Sequence, residues 1–88
     1  MKPLKYLSVQ SGCKVSPDHV KGLPVEQWYR RIVGKDSNAL LMAIMGTGKV
    51  PSGYLVLLKV KDNLDYTYYS AKHYKKAVKH FQTGEWQS

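Results

Sequence analysis

The sequence has little cysteine, few acidic residues and no long hydrophobic run. Cys13 is the only cysteine among 88 residues, which excludes an internal disulfide and fits a reducing compartment. The longest wholly apolar run, residues 39–45, is far shorter than the ~20 residues that span a bilayer. No apolar signal core follows the charged N-terminus. These absences predict a soluble cytoplasmic protein that does not enter a membrane.

Acidic residues are outnumbered by basic ones. Six Asp and Glu stand against 14 Lys and Arg, which gives a net charge of +8 and a pI near 9.7. Charge of one sign repels itself in the compact state, so a partner that neutralises it is expected. Lysine outnumbers arginine twelve to two, which favours contact with backbone phosphates over bidentate reading of bases. The predicted partner is nucleic acid or an acidic protein surface.

The sequence also lacks a complete nucleotide-binding motif, although one segment resembles part of such a motif. Residues 46–49 read Gly-Thr-Gly-Lys, as at the end of a phosphate-binding P-loop. The full motif has a glycine five residues before the Gly-Lys pair and Ser or Thr after it. Ala43 and Val50 occupy those positions, and Pro51 discourages a helix there. A glycine turn is predicted instead, with no cofactor.

Metal and catalytic sites lack their usual patterns. No two of Cys13, His19, His73 and His80 have a close zinc-ligand spacing, and no Ser/His/Asp or Cys/His arrangement is present. One enzymatic alternative remains open, a ribonuclease with His73 or His80 as base beside a lysine clamp. The sequence otherwise predicts a protein that is not an enzyme and holds no metal.

The composition, 43% hydrophobic and 23% charged, is that of a globular chain, and the length predicts one domain, 1–88. Residues 4–9 favour a short strand and residues 10–23 a loop. Pro24 is placed to open a helix with Val25, Trp28, Tyr29 and Ile32 on one face and Gly34 as its stop.

The segment from Ser37 to Met45 fits a second helix capped by Asp36 or Ser37, and a buried strand fits residues 38–45 nearly as well. Gly46 to Gly53 reads as a loop. Tyr54 to Lys61 is the best strand in the sequence, because its apolar residues alternate, and residues 64–69 return as its partner.

The loop of this hairpin could have two residues, Asp62-Asn63, or four. Both loop lengths place the same set of residues on one face. A three-residue loop would reverse the register. The shared face carries Lys59, Lys61, Tyr66 and Tyr68. Tyrosine beside lysine on an open sheet suits base stacking and phosphate pairing; the alternative is that the two tyrosines only cover the sheet.

The last helix, about 70–83, has Ser70 as its expected N-cap and Gly84 as its stop. One side carries Ala71, Tyr74, Ala77, Val78 and Phe81 and is predicted to pack on the core. Four lysines, which we call the lysine stripe, share another side: Lys72, Lys75, Lys76 and Lys79. Like charges at i,i+4 destabilise a helix, and no acidic residue lies between Ser70 and Thr83. Neutralisation by an anion explains this repulsion better than solvation alone.

Together these patterns predict an α+β fold, a small antiparallel sheet (hairpin about 54–69) with two or three helices on one face, the last at about 70–83. The expected core is Val25, Trp28, Ile32, Leu41, Val56, Leu58, Val60, Tyr74, Val78 and Phe81. In outline, a hairpin followed by a lysine-bearing helix resembles small sheet-plus-helix nucleic-acid-binding domains, an outline that unrelated proteins share.

Two functions are consistent with these patterns. The first is a nucleic-acid-binding module of weak sequence specificity, with phosphates on the lysine stripe and a secondary platform at Lys59, Lys61, Tyr66 and Tyr68. The second is a protein-binding inhibitor or adaptor on an acidic face of a larger host complex, the general character of proteins that phages direct against host machinery or defence. Its candidate aromatic anchors are Tyr6, Tyr69 and Trp86.

Overall fold

The computed structural model describes residues 11–46 and 49–84. Five strands, two α-helices and one 3₁₀ turn occupy them. In chain order the elements are β1 (Cys13–Val15), α1 (Pro17–Lys21), β2 (Val25–Gly34), β3 (Ser37–Met45), β4 (Pro51–Val60), β5 (Asn63–Ser70), the 3₁₀ turn (Ala71–His73) and α2 (Tyr74–Thr83). The predicted strand at 4–9 lies outside the described residues.

The strands form one antiparallel sheet in the order β1-β5-β4-β3-β2. Strands β2 to β5 follow one another as a meander, so each pairs with its neighbour in the chain. The short strand β1 then pairs with the outer edge of β5. An α+β fold with an antiparallel sheet and a final helix is therefore confirmed, although the sheet is larger than the predicted hairpin.

The predicted helix at 24–34 is instead the edge strand β2. A bulge at Trp28 breaks the two-residue alternation and turns Trp28 and Tyr29 toward the same face. Val25 and Ile32 lie on the opposite face. The four apolar residues that would share one face of a helix are therefore divided between the two faces of a strand.

The preferred helix at 37–45 is also wrong, and the strand alternative is the observed structure. β3 lies between β2 and β4, with both of its edges paired. Ala39 and Ala43 are fully buried on one face, and Ile44 is 1% exposed on the other. Because both faces are covered, the strand carries a continuous apolar run instead of an alternating one.

The β4–β5 hairpin keeps the predicted parity, but its turn lies one residue earlier than expected. Val60 pairs with Asn63, so the turn residues are Lys61 and Asp62. Lys61 adopts a left-handed φ of 52°, and its N–H donates to the carbonyl of Asp36 at 2.9 Å. This bond joins the tips of the two hairpins, and Lys61 belongs to the turn instead of the sheet face on which it was predicted.

Each face of the sheet has its own core, and each core has its own helix. The face we call the α1 face buries Val15, Val20, Leu23, Met42, Ile44, Leu55, Leu57 and Tyr68. The face we call the α2 face buries Ala39, Leu41, Ala43, Tyr54, Val56, Leu58, Ala77 and Phe81. The helices thus lie on opposite faces of the sheet, which corrects the expectation that they share one.

Of the ten expected core residues, four are buried, four are partly buried and two are exposed. Leu41, Val56, Leu58 and Phe81 are buried, and Val25, Trp28, Val60 and Val78 are partly buried. Ile32 on the edge strand is 67% exposed and Tyr74 on α2 is 39% exposed. Ile32 was expected in the core because residues 24–34 were predicted to be a helix. Tyr74 was expected there because the whole apolar side of α2 was predicted to pack.

No helix in the described ranges is long and apolar enough to cross a membrane.

Candidate nucleic-acid interface

Helix α2 turns its lysines away from the sheet. Ala77 is fully buried and Phe81 is 8% exposed, so these two residues define the side that packs on β3 and β4. With 3.6 residues per turn, Lys75, Lys76 and Lys79 fall on the other side, and all three are exposed. Lys72 is exposed as well, but it precedes α2 in the 3₁₀ turn. The helical part of the stripe is therefore three lysines long.

In the described part of the chain, these lysines form no ion pair with a carboxylate. The ion pair found there joins Lys14 to Asp65, and both charges act on His80 beside the stripe. Across residues 11–46 and 49–84, no carboxylate oxygen lies within 4.0 Å of a stripe ammonium group. No ion pair in the described chain therefore neutralises the stripe, and its ammonium groups stay accessible to an anionic partner.

The two histidines beside the stripe serve local packing. Nδ1 of His80 is hydrogen-bonded to the Tyr69 hydroxyl at 2.8 Å, and Nδ1 of His73 is hydrogen-bonded to the Ser70 hydroxyl at 2.8 Å. Burial lowers the pKa of His80, Lys14 lowers it further, and Asp65 acts in the opposite direction. His80 therefore favours its neutral form at pH 7. The Ser70 hydroxyl, paired with His73, makes no cap bond to the backbone.

The second predicted surface lies on the other side of the sheet. Lys59 shares the α1 face with Tyr66 and Tyr68, as the hairpin parity requires. Tyr68 is only 7% exposed, and Tyr66 is half-buried against the same core. Burial raises the pKa of both tyrosines. These rings cover the sheet instead of forming an open stacking platform, and Lys59 does not join the lysine stripe.

A groove on the α2 face has no counterpart among the sequence predictions. It lies between α2 and the edge strand β2, and its volume is about 260 Å³. Its lining is Tyr29, Leu41, Tyr74, Val78, Phe81 and Gln82. Tyr29 is 56% exposed and Tyr74 is 39% exposed, so both rings remain open to solvent. The bulge at Trp28, which directs Tyr29 to this face, leaves no distinct signal in the sequence.

One end of the groove continues into packed aromatic rings. The centroid of Tyr74 lies 5.0 Å from that of Tyr54. Tyr54 in turn meets Trp28 edge-on at 5.6 Å. Contacts of this kind add about 0.5–1.5 kcal/mol beyond buried area, so Tyr74 is held in place on its inner side while part of its ring stays exposed.

Two stripe lysines adjoin the groove. Lys75 precedes Val78 by three residues and Lys79 precedes Gln82 by three, and residues so spaced are neighbours on a helix surface. Val78 and Gln82 both line the groove. The exposed rings and the exposed ammonium groups therefore form one continuous surface along α2.

Two further features of the described residues concern metal and phosphate sites. No group of three or more His, Cys, Asp or Glu side chains that could hold a metal occurs in those ranges. The Gly-Thr-Gly-Lys segment leads into strand β4, which begins at Pro51. A phosphate-binding P-loop is followed by a helix N-terminus, and here a strand takes that place.

Comparison with family models, with curated proteins and with solved structures finds no match to this chain.

Proposed function

We propose that this protein binds nucleic acid through α2, with the lysine stripe on backbone phosphates and with weak sequence specificity. The observation that carries the proposal is the row of exposed lysines on one side of α2, none of which forms an ion pair with a carboxylate in the described chain. Their mutual repulsion costs the free protein stability. A strand of phosphates would remove that repulsion and release counterions at the same time.

Binding to a fluorescent single strand and to a duplex, across a salt series, tests this proposal. We expect the logarithm of the affinity to fall by about 0.9 per logarithmic unit of salt for each duplex phosphate contact. A Lys75/Lys76/Lys79→Ala variant should bind more weakly and lower that slope by about 2 to 3. Alanine favours helix, so α2 should remain folded in this variant.

The matched control removes the same charge from elsewhere. Lys21, Lys35 and Lys49 are exposed and lie outside α2, so their triple alanine variant has the same net charge as the stripe variant. It should keep most of the affinity and slope. A Lys59/Lys61→Ala variant measures any contribution from the α1 face and its adjoining turn. Equal losses in the control and the stripe variant, or binding only at millimolar concentration near physiological salt, would contradict the proposal.

A protein-binding inhibitor or adaptor is the second candidate, and the edge strand favours it. β2 is ten residues long, its outer edge is unpaired within the described sheet, and Ile32 on it is 67% exposed. An open edge of this kind can accept a strand from another protein. Of the predicted anchors, Tyr69 is half-buried and bonded to His80, and Tyr6 and Trp86 lie outside the described residues.

This second function has a different experimental signature. Capture of a partner should be abolished by Ile32→Lys, which places a charge in the middle of an apolar contact, and should change little with salt. Binding to nucleic acid should survive Ile32→Lys, because Ile32 lies on the α1 face. The two candidates are therefore separated by one substitution.

A further inference from the structure

We propose that the groove between α2 and β2 accepts an unpaired base, so that the protein prefers single-stranded nucleic acid to duplex. This inference rests on the proposed function and names the form of nucleic acid that the same surface takes. It starts from the juxtaposition of two exposed tyrosines across an apolar groove with two lysines at its rim.

The lining suits the flat face of a ring. Leu41 and Phe81, both buried, form the floor, while Tyr29 from β2 and Tyr74 from α2 contribute exposed rings. Aromatic rings hold bases by stacking, and every base offers a face for it, so such contacts tolerate any sequence. Such sequence-tolerant stacking agrees with the lysines of the stripe, which contact phosphates and do not distinguish one base from another.

The size of the groove limits what can enter. Its volume is about 260 Å³. It is slightly below the ~300 Å³ at which pockets for drug-sized ligands begin. One planar base fits this range and a base pair does not. In a duplex the base faces are stacked on one another, so only an unpaired base can present a face to the tyrosines.

The charge is placed to hold the strand on either side of that base. Lys75 and Lys79 are one helical turn apart, a rise of ~6 Å, and a stacked strand advances ~3.4 Å per nucleotide. The two ammonium groups can therefore meet phosphates one or two nucleotides apart. A nucleic acid strand complements this rim, because it combines a negative charge with a flat aromatic ring in every nucleotide.

The groove is also largely formed before any ligand binds. Tyr74 packs on Tyr54, and Tyr54 packs on Trp28. Arg31 on β2 donates to the carbonyls of Phe81 and Gly84 at 2.9 and 2.8 Å, which fixes α2 against the edge strand. A preformed site loses little conformational entropy on binding.

The experiment compares three probes of equal length: an oligothymidine strand, an abasic strand with the same phosphates, and a duplex. We expect the oligothymidine to bind most tightly. Tyr29→Ala and Tyr74→Ala should each weaken that binding about 5- to 150-fold, the range that corresponds to ~1–3 kcal/mol per stacked base. Binding of the abasic strand should hardly change. Tyr29→Phe and Tyr74→Phe keep the ring and should retain affinity, with thermal melting to confirm that every variant is folded.

The outcomes separate this inference from the proposed function. Equal affinity for the abasic and oligothymidine strands, with no effect of the Tyr→Ala variants but a loss in the stripe variant, would overturn the base site and leave phosphate binding intact. Failure of all three probes to bind would remove both. A duplex that binds as tightly as the single strand would also overturn the inference.

Discussion

At the scale of single residues, Thr67 holds a buried hydroxyl that lacks a partner in the described chain. The residue is 4% exposed, lies at the centre of β5 and faces the α2 side of the sheet. Its Oγ1 has no hydrogen-bond partner within residues 11–46 and 49–84. Burying a hydroxyl without compensation costs about 1–3 kcal/mol by the measure of protein mutants.

Replacing this hydroxyl should stabilise the protein. We expect Thr67→Val, which keeps the shape of the side chain, to raise the free energy of unfolding by about 1 kcal/mol. The measurement is a urea titration, where the midpoint should rise with an unchanged slope. Thr83→Val is the control, because the exposed Thr83 hydroxyl donates to the Lys79 carbonyl at 2.8 Å and its removal should bring no gain. A lower midpoint for Thr67→Val would mean that the hydroxyl has a partner.

At the scale of elements, Arg31 connects the edge strand to the end of α2. Its Nε and Nη2 reach the carbonyls of Phe81 and Gly84, two groups near the helix end where a cation is also favoured by the helix dipole. One guanidinium therefore closes the end of α2 and positions the wall of the groove.

Removing this connection should destabilise the protein. We expect Arg31→Ala to lower the free energy of unfolding by about 1.5–3 kcal/mol, the range for hydrogen bonds to a charged group. Arg31→Lys should recover only part of it, because an ammonium group lacks the two-pronged geometry. Arg30→Ala is the matched control, since Arg30 is exposed, lies on the α1 face and donates to Oδ1 of Asn38 at 3.2 Å instead of to the end of α2. Similar losses for the Arg30 and Arg31 variants would show that the helix-end contacts are not what matters.

The elements also show which parts of the fold can be predicted from the sequence. The β4–β5 hairpin and α2 are predictable, because β4 alternates in sequence and α2 repeats its apolar residues every three to four positions. β2 resembles a helix in sequence because its four large apolar residues have helical spacing, although the bulge at Trp28 leaves two of them on each face of the strand. β3 resembles one because a strand covered on both faces has no alternation to detect. Both failures come from tertiary features, a bulge and a second core, that local patterns do not encode.

The candidate site divides in the same way. The exposure of the stripe lysines follows from one helical wheel, so it is predictable. The groove depends on the pairing of β2 beside β3 and on the bulge that turns Tyr29 toward α2. Tyr74 is expected in the core, yet it lines the groove between α2 and the edge strand, where its ring is only partly covered. β2 lies beside α2 because of the order of the strands in the sheet, and local sequence patterns do not reveal that order.

At the scale of the whole molecule, the sheet separates the lysine stripe from the other predicted binding surface. The stripe and the groove lie on the α2 face, and Lys59 lies on the α1 face. A short oligonucleotide seated in the groove would therefore leave Lys59 uncontacted. Lys59 would then contribute only as part of the net charge of +8, which attracts nucleic acid at long range.

That net charge predicts opposite effects of salt on folding and on binding. Repulsion among basic groups is strongest in the compact state, and the Debye length shrinks from ~30 Å at 0.01 M salt to ~10 Å at 0.1 M. The free energy of unfolding should therefore rise over this range, whereas affinity for nucleic acid should fall. Urea titrations at several sodium chloride concentrations measure the first effect.

The stripe variant shows where the repulsion is located. Lys75/Lys76/Lys79→Ala removes like charges at i,i+3 and i,i+4 and adds alanines that favour helix, so at low salt it should be more stable than the unmodified chain by several tenths of a kcal/mol or more. Its stability should also respond less to salt. Lys21/Lys35/Lys49→Ala changes the net charge equally without touching α2, so it should gain less. If the two variants gain alike, the self-repulsion is spread over the whole surface, and the clustering of lysines on α2 carries no special cost that a bound anion would relieve.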